Sequence, residues 1–443
     1  MMQDVRHKSA CELGRAIEAG KVDPSDLTEA FLAAIAASPH GDRIFARTTP
    51  DRARAEARAA SQRARLGQRR SLLDGVPIGW KDNFDCAGVA TEAGTALLAG
   101  RVPEGDAAVL RNATSLGLVC MGKTHMTELA FSGLGVNPMT ATPPNVHDAD
   151  AAPGGSSSGA ASATALGLAA GGVGSDTGGS VRLPAAWNDL VGFKPTHNAL
   201  SLDGVVPLAA RFDTVGPLAR TVEDAAHLFA AMQGRAGPDL RGAKLTGARL
   251  LVLETVACEG LRDATGTAFE RAVARLESAG VQVERAAIPA VAEALELAGI
   301  IYTSECYGTW GGAIEAAPDK MYAPVRERFQ AGRTHGAADY VAAWQRLDAL
   351  RAQFAAATSG YDAVIFPSAA LAPPRTADVL ADSALFASEN LLTLRNTRIG
   401  NMMGLCSITL PTGEPSRGIM FHAGPGQDLR LLRLAAAAEA ALA

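Results

Sequence analysis

The chain has 443 residues, of which 48% are apolar, 20% charged and 5% aromatic, and its formal net charge is −5. That balance excludes an intrinsically disordered chain, which needs low hydrophobicity, and it excludes the broad positive field of a nucleic-acid binder. The length allows a large buried core, either in one α/β unit or in several average domains.

In chain order, Met1-Met2-Gln3-Asp4-Val5-Arg6-His7-Lys8 lacks the apolar run of a secretory leader. No segment offers the roughly 18 consecutive apolar residues of a membrane span. Asp23-Pro24 reads as an N-cap followed by proline at the first helical position, with Leu27, Phe31, Leu32 and Ile35 on one face. Residues 51–70 carry Arg52, Arg54, Arg58, Arg63, Arg65, Arg69 and Arg70 at helical spacing. They read as a solvated helix face, with RNA contact as the alternative.

Short β-like runs at 76–78, 119–121, 171–174, 250–253, 281–283 and 363–366 alternate with helical stretches, and residues 160–174 read as a buried helix feeding a strand. Such alternation predicts an α/β fold with helices covering a central sheet. Residues 234–248 are the one soft boundary, and the run after them is compatible with the same sheet. The six cysteines show neither Cys-x-x-Cys nor metal-ligand spacing, so they read as free thiols of a reducing cytoplasm and no metal site is expected.

The chemistry concentrates in two glycine loops, Gly154-Gly155-Ser156-Ser157-Ser158-Gly159 and Asp176-Thr177-Gly178-Gly179-Ser180-Val181-Arg182, with Lys81 upstream in Gly79-Trp80-Lys81-Asp82. Amide hydrolysis needs a nucleophile, a base that later returns the proton to the leaving amine, and donors for an oxyanion. Ser180 offers the nucleophile and the N–H groups of Thr177, Gly178 and Gly179 the donors; glycines there are expected to tolerate no added bulk. His125, His147 and His197 each read as surface or capping groups. Lys81 is the better base if its apolar neighbours bury it, with Asp82 and Asp85 opposing that shift if they face it. Ser156 would then bridge Lys81 and Ser180 in a Ser-Lys relay.

Each element has a plain structural reading as well. The first loop alone reads as a turn before a serine-capped helix, and Lys81 alone as a surface lysine after a strand. Gly155-Ser156-Ser157-Ser158-Gly159 satisfies G-x-S-x-G, but no strand precedes it to form a nucleophile elbow. The same loop has P-loop glycine spacing, yet Ala160-Ala161 stands where Lys-Ser/Thr is required.

Together these residues resemble the amidase signature family, over a core running from Lys81 to Pro195. The resemblance implies an α/β/α sandwich around a large mixed, mostly parallel β-sheet. It also implies one domain over residues 1–443, with an N-terminal helical segment 1–70 and a signature core 74–220. By motif position Lys81 is similar to the family lysine, Ser156 to the serine after a cis peptide, and Ser180 to the acylated serine. Asp176 and Arg182 would steady the nucleophile loop through polar contacts. The stretch Gly122-Lys123-Thr124-His125-Met126-Thr127-Glu128-Leu129-Ala130-Phe131-Ser132 is similar to a pocket-lining segment, which points to Met126, Thr127, Phe131 and Ser132, with His125 where asparagine is common. Gly192-Phe193-Lys194-Pro195-Thr196, residues 213–221 and the stretch from Asn396-Thr397 to Leu410-Pro411 extend the likeness. Trp187-Asn188-Asp189 departs from the smaller residues usual at that place, which bears on local packing.

The expected activity is cleavage of a small-molecule carboxamide through a Ser180 acyl-enzyme, without metal, nucleotide or other cofactor, in the cytoplasm. Neither membrane nor nucleic acid is an expected partner, and a homodimer is the general expectation for such an enzyme. The alternatives are the glutaminase component of a tRNA-dependent amidotransferase, a ureido-acid hydrolase of the allophanate or carboxybiuret type, and a silent binding protein. The last fits poorly with an intact Lys81, Ser156 and Ser180 set.

Overall fold

The computed structural model describes residues 5–262 and 264–442. Residues 1–4, half of the stretch read for a leader, lie outside them. Among the described residues no helix is long and apolar enough to cross a membrane.

Among the described residues, eleven strands form one mixed sheet: β1 (Phe45–Thr48), β2 (Pro77–Lys81), β3 (Val119–Thr124), β4 (Gly171–Asp176), β5 (Val191–Lys194), β6 (Thr214–Ala219), β7 (Arg249–Leu253), β8 (Gln282–Ala286), β9 (Ala363–Pro367), β10 (Cys406–Pro411) and β11 (Gly418–Ala423). Their order is β1-β3-β2-β4-β6-β5-β10-β11-β9-β7-β8. Parallel pairing is concentrated in two blocks, β3-β2-β4 and β9-β7-β8, and the strands that join the blocks pair antiparallel. Strand β7, which follows the soft boundary at 234–248, belongs to this same sheet.

Alternation along the strands builds two cores. Leu250 and Val252 of β7 face one and Leu251 and Leu253 the other, as the period of two in a strand requires. Helices Pro24–Ala37, Val222–Met232, Thr265–Ser278 and Asp428–Leu442 cover the first face, and Pro289–Ala316, Ala337–Thr358 and Ser383–Met402 the second. The result is the expected α/β/α sandwich. Asp23 caps the helix Pro24–Ala37 by accepting from Ser25 N–H at 2.8 Å, and Leu27, Phe31 and Ile35 are buried, as their spacing predicts.

The arginine-rich helix Pro50–Arg65 is tied to its own chain. Arg52 pairs with Asp106 (2.8 and 2.8 Å), Arg54 with Glu29 (2.6 and 3.1 Å) and Arg63 with Asp74 (2.8 and 2.6 Å). Arg52 and Arg63 are half-buried against their acids, whereas the Arg54 pair lies on the surface.

Glycine determines how closely the helix Ser158–Ala165 approaches the sheet. A Cβ on Gly172 would come within 2.8 Å of Ala160 O, and one on Gly174 within 2.4 Å of Ser157 Oγ. A larger residue at either position would push that helix, and the serine loop that starts it, away from the end of β2.

Candidate active site

Lys81 ends β2, the strand between β3 and β4, and is fully buried. Its Nζ lies 2.8 Å from Ser156 Oγ, 2.8 Å from Ser175 Oγ and 3.4 Å from Ser175 O. The neighbouring acids turn away. Asp82 accepts from Arg47 (2.8 Å) and Lys123 (3.1 Å), and Asp85 accepts both Arg101 η nitrogens (2.6 and 2.8 Å). Burial therefore dominates over the weaker pull of Asp176 and Asp213, and the lysine pKa drops to about 7.

The Ser156 loop is held by backbone bonds from three sides. Gly155 N–H donates to Gly133 C=O (2.7 Å), Thr127 N–H to Ser156 C=O (3.2 Å) and Ser157 N–H to Ser180 C=O (3.2 Å). The Gly155–Ser156 peptide is cis, as the resemblance implies. Ser180 sits in the turn between β4 and the helix Arg182–Trp187, so the last of these bonds pins one serine loop to the other.

Asp176 organises that turn. Its carboxylate accepts from Gly179 N–H (2.8 Å), Val181 N–H (3.1 Å), Arg182 Nε (3.0 Å), Arg182 Nη2 (2.9 Å) and Asn401 Nδ2 (2.9 Å). Burial alone would raise its pKa, but the Arg182 charge and these donors outweigh it and hold the carboxyl well below the usual carboxylate range. Arg182 also donates to Thr397 C=O (2.8 Å) and Asn401 Oδ1 (2.6 Å).

These bonds separate the three expected oxyanion donors. The Gly179 N–H is already given to Asp176, whereas the Thr177, Gly178 and Ser180 N–H groups have no protein acceptor among the described residues. Neighbouring contacts anchor the turn: Tyr302 OH donates to Thr177 C=O (2.8 Å), Thr177 Oγ1 to Asp213 (2.5 Å) and Thr397 Oγ1 to Gly178 C=O (2.8 Å). The glycines are unequal as well. Gly179 has φ +131°, and a Cβ there would fall 2.0 Å from Thr397 Oγ1, but a Cβ on Gly178 meets nothing within 4 Å. The expectation that neither tolerates bulk holds for the first and not for the second, because Gly178 borders open space.

That space is a cavity of about 230 Å³ lined by Ser180, Thr177, Gly178, Phe131, Ser132 and Tyr302 among others. It is smaller than the ~300–1,000 Å³ of sites for drug-sized ligands. Met126 and Thr127 do not line it; both are buried behind it, Thr127 holding Ser156 through its N–H. A larger cavity of about 720 Å³, bordered by Lys194, His197 and Arg351, includes neither Ser180 nor Lys81.

None of the three weighed histidines borders the Ser180 cavity. His147 pairs with Asp189 (2.7 Å), His197 Nδ1 lies 3.0 Å from Asp213 O, and burial lowers the His125 pKa. The departure at Trp187-Asn188-Asp189 is absorbed locally. Asp189 takes φ +52°, a conformation glycine adopts without cost, and is held by His147 and by Ser416 N–H (2.9 Å). Ser175, Tyr302 and Asn401 escaped the sequence reading; only Ser175, a hydroxyl inside a glycine and valine strand, left a local signal.

The family model for amidases matches residues 26–432. The chain belongs to the amidase family. This amidase is 32% identical to 2-amino-5-chloromuconic acid deaminase of Comamonas testosteroni over 98% of its own length and 96% of that protein's. It is equally 32% identical to the glutamyl-tRNA(Gln) amidotransferase A-type chain of Acidothermus cellulolyticus, over 99% and 95% of the two chains. Its backbone matches a crystal structure of an amidase with a TM-score of 0.89 and 29% identity, covering 98% of this chain and all of that one. The amidase is accordingly an amide-hydrolysing enzyme.

Proposed function

We propose that the amidase cleaves small carboxamides through a serine acyl-enzyme. Ser180 Oγ attacks the carbonyl carbon; its proton passes to Ser156 as the Ser156 proton moves to the neutral Lys81 amine. The N–H groups of Thr177 and Gly178, joined by that of Ser180, hold the resulting oxyanion. Collapse breaks the C–N bond, and the leaving nitrogen takes its proton back through Ser156 from the Lys81 ammonium. Water then attacks the acyl-enzyme, its proton following the same relay, and the carboxylate product leaves Ser180 free.

The observation that carries this reading is a buried lysine with hydroxyl neighbours in place of a carboxylate, its pKa pushed down to about 7 and its Nζ 2.8 Å from Ser156 Oγ. Such an amine is available to take a proton at neutral pH, as a general base must be. The small cavity beside Ser180 favours a short substrate. A relative named for deamination of 2-amino-5-chloromuconic acid supports removal of nitrogen from a small acid.

The test is ammonia release by the purified chain over a panel of small amides, with Ser180→Ala as control and fluorophosphonate labelling of Ser180 alongside. Ser180-dependent release is expected, and unchanged release by the alanine variant would overturn the mechanism. Full-length likeness to an amidotransferase chain favours a second reading, a glutaminase that works with partner chains. Glutamine turnover that needs added partner chains would select it.

A further inference from the structure

Among the described residues, the cavity beside Ser180 is lined by two guanidinium groups and no acid. Arg328, on the helix Ala323–Gln330, and Arg398, on Ser383–Met402, both line it, and no Asp or Glu does. Arg328 donates to Phe131 C=O and lies 4.2 Å from the centroid of the Phe131 ring. Arg398 stands 5.9 Å from the centroid of the Tyr302 ring and, among the described residues, makes no hydrogen bond or ion pair.

Several other enclosed arginines of this chain are compensated. Arg182 has Asp176, Arg52 has Asp106 and Arg63 has Asp74. Arg220, which has no acid within bonding distance among the described residues, donates to the carbonyls of Lys8, Thr164, Ala169 and Ala170. Arg398 has neither kind of partner. Burial, and then the charge of Arg398, push the Arg328 pKa down to about 9, and burial lowers that of Arg398. Two like charges beside one small, largely apolar cavity repel, and a small anion between them removes the repulsion.

A guanidinium offers a planar fork of donors that matches a carboxylate, and the apolar walls from Leu208, Ala298 and Leu394 suit a short hydrocarbon chain between that carboxylate and the amide. We infer that Arg328 and Arg398 form a carboxylate subsite, so that the substrate is a small amide bearing its own carboxylate, such as the monoamide of a short dicarboxylic acid. The inference rests on the reading of Ser180 as the acylated residue.

The test compares succinamate and glutaramate with butyramide and valeramide, their uncharged counterparts, as substrates of the wild type, Arg398→Gln and Arg398→Lys. The Arg398 side chain has no hydrogen bond to lose among the described residues, so these variants should fold. The wild type is expected to prefer the anionic amides in kcat/KM by on the order of 10–100-fold, the range of hydrogen bonds to charged groups. Arg398→Gln, which keeps Arg328, should lose most of that preference, and Arg398→Lys should keep more of it. In parallel, succinate and glutarate should slow fluorophosphonate labelling of Ser180 more strongly in the wild type than in Arg398→Gln.

Equal turnover of neutral and anionic amides by the wild type, or a preference undiminished in Arg398→Gln, would overturn the subsite and leave the amidase reading standing. Protection by inorganic phosphate but not by the dicarboxylates would also overturn it. Absence of both labelling and turnover would count against the Ser180 reading. Calorimetric titration of glutarate into wild type and Arg398→Gln would then decide the subsite by itself, tighter binding to the wild type supporting it and equal or absent binding refuting it.

Discussion

Lys81 and Lys123 end up one residue out of register on neighbouring parallel strands, Trp80 lying opposite Lys123 and Lys81 opposite Thr124. Both are fully buried, and burial lowers the pKa of each. Their partners differ. Lys123 meets Asp82 at 3.1 Å, and that carboxylate pulls its pKa back up; Lys81 meets the hydroxyls of Ser156 and Ser175. Burial supplies the same pressure in both places, and the presence or absence of a carboxylate decides whether the result is a structural ion pair or an amine able to exchange a proton.

The contrast breaks most visibly in turnover. In the proposed relay Ser180→Ala reduces ammonia release to background, and Lys81→Met lowers kcat by about 10²–10⁴-fold, the usual worth of a general base. Lys123→Met should stay within a few-fold of wild type. If both lysine variants lost turnover alike, the distinction would collapse.

Stability separates the pair in the opposite sense. Asp82→Asn leaves the Lys123 ammonium buried beside Arg47 without its acid, and chemical denaturation should register a loss of about 3–5 kcal/mol. Turnover per folded molecule should change little, because Asp82 turns away from Lys81.

A pH profile sharpens the comparison further. A lysine with its pKa lowered to about 7 is protonated below that pH and neutral above it, so kcat/KM should climb through pH 7 and level off on the alkaline side. Over the interval from about 7 to the ordinary value of 10.5 the unfolded chain binds more protons at this site, so the contribution of Lys81 to stability rises with pH. A flat profile between pH 6 and 8 would exclude Lys81 as the base.

The smallest effect belongs to Ser175. Its hydroxyl accepts from Nζ and favours the charged amine, so Ser175→Ala should move the rising limb to lower pH and lower kcat by roughly 2–10-fold, the worth of one neutral hydrogen bond. A shift to higher pH would mean that the hydroxyl stabilises the neutral form instead.

Much of this was legible beforehand. The paired glycine loops and Lys81 stand out as residue types in a spacing, and Leu250 to Leu253 announce a strand buried on both faces because every position is apolar. Strand β6 was illegible because Gly216-Pro217 interrupts it and proline removes a ladder donor; only its neighbours β4 and β5 make it a strand. The pocket was half legible. Phe131 and Ser132 line the cavity beside Ser180, but Met126 and Thr127 from the same stretch are buried behind it, since a chain that turns this sharply sends neighbouring side chains in different directions.

By itself the order of residues determined the α/β class, the serine loops, the lysine and the family, because each depends on local patterns of glycine, apolar period and motif. Only the tertiary structure decided that Asp82 and Asp85 turn away from Lys81, that Gly179 gives its N–H to Asp176, and that Arg328 and Arg398 meet beside Ser180. Those facts depend on distances between residues far apart in the chain, and charges act through space without regard to sequence separation.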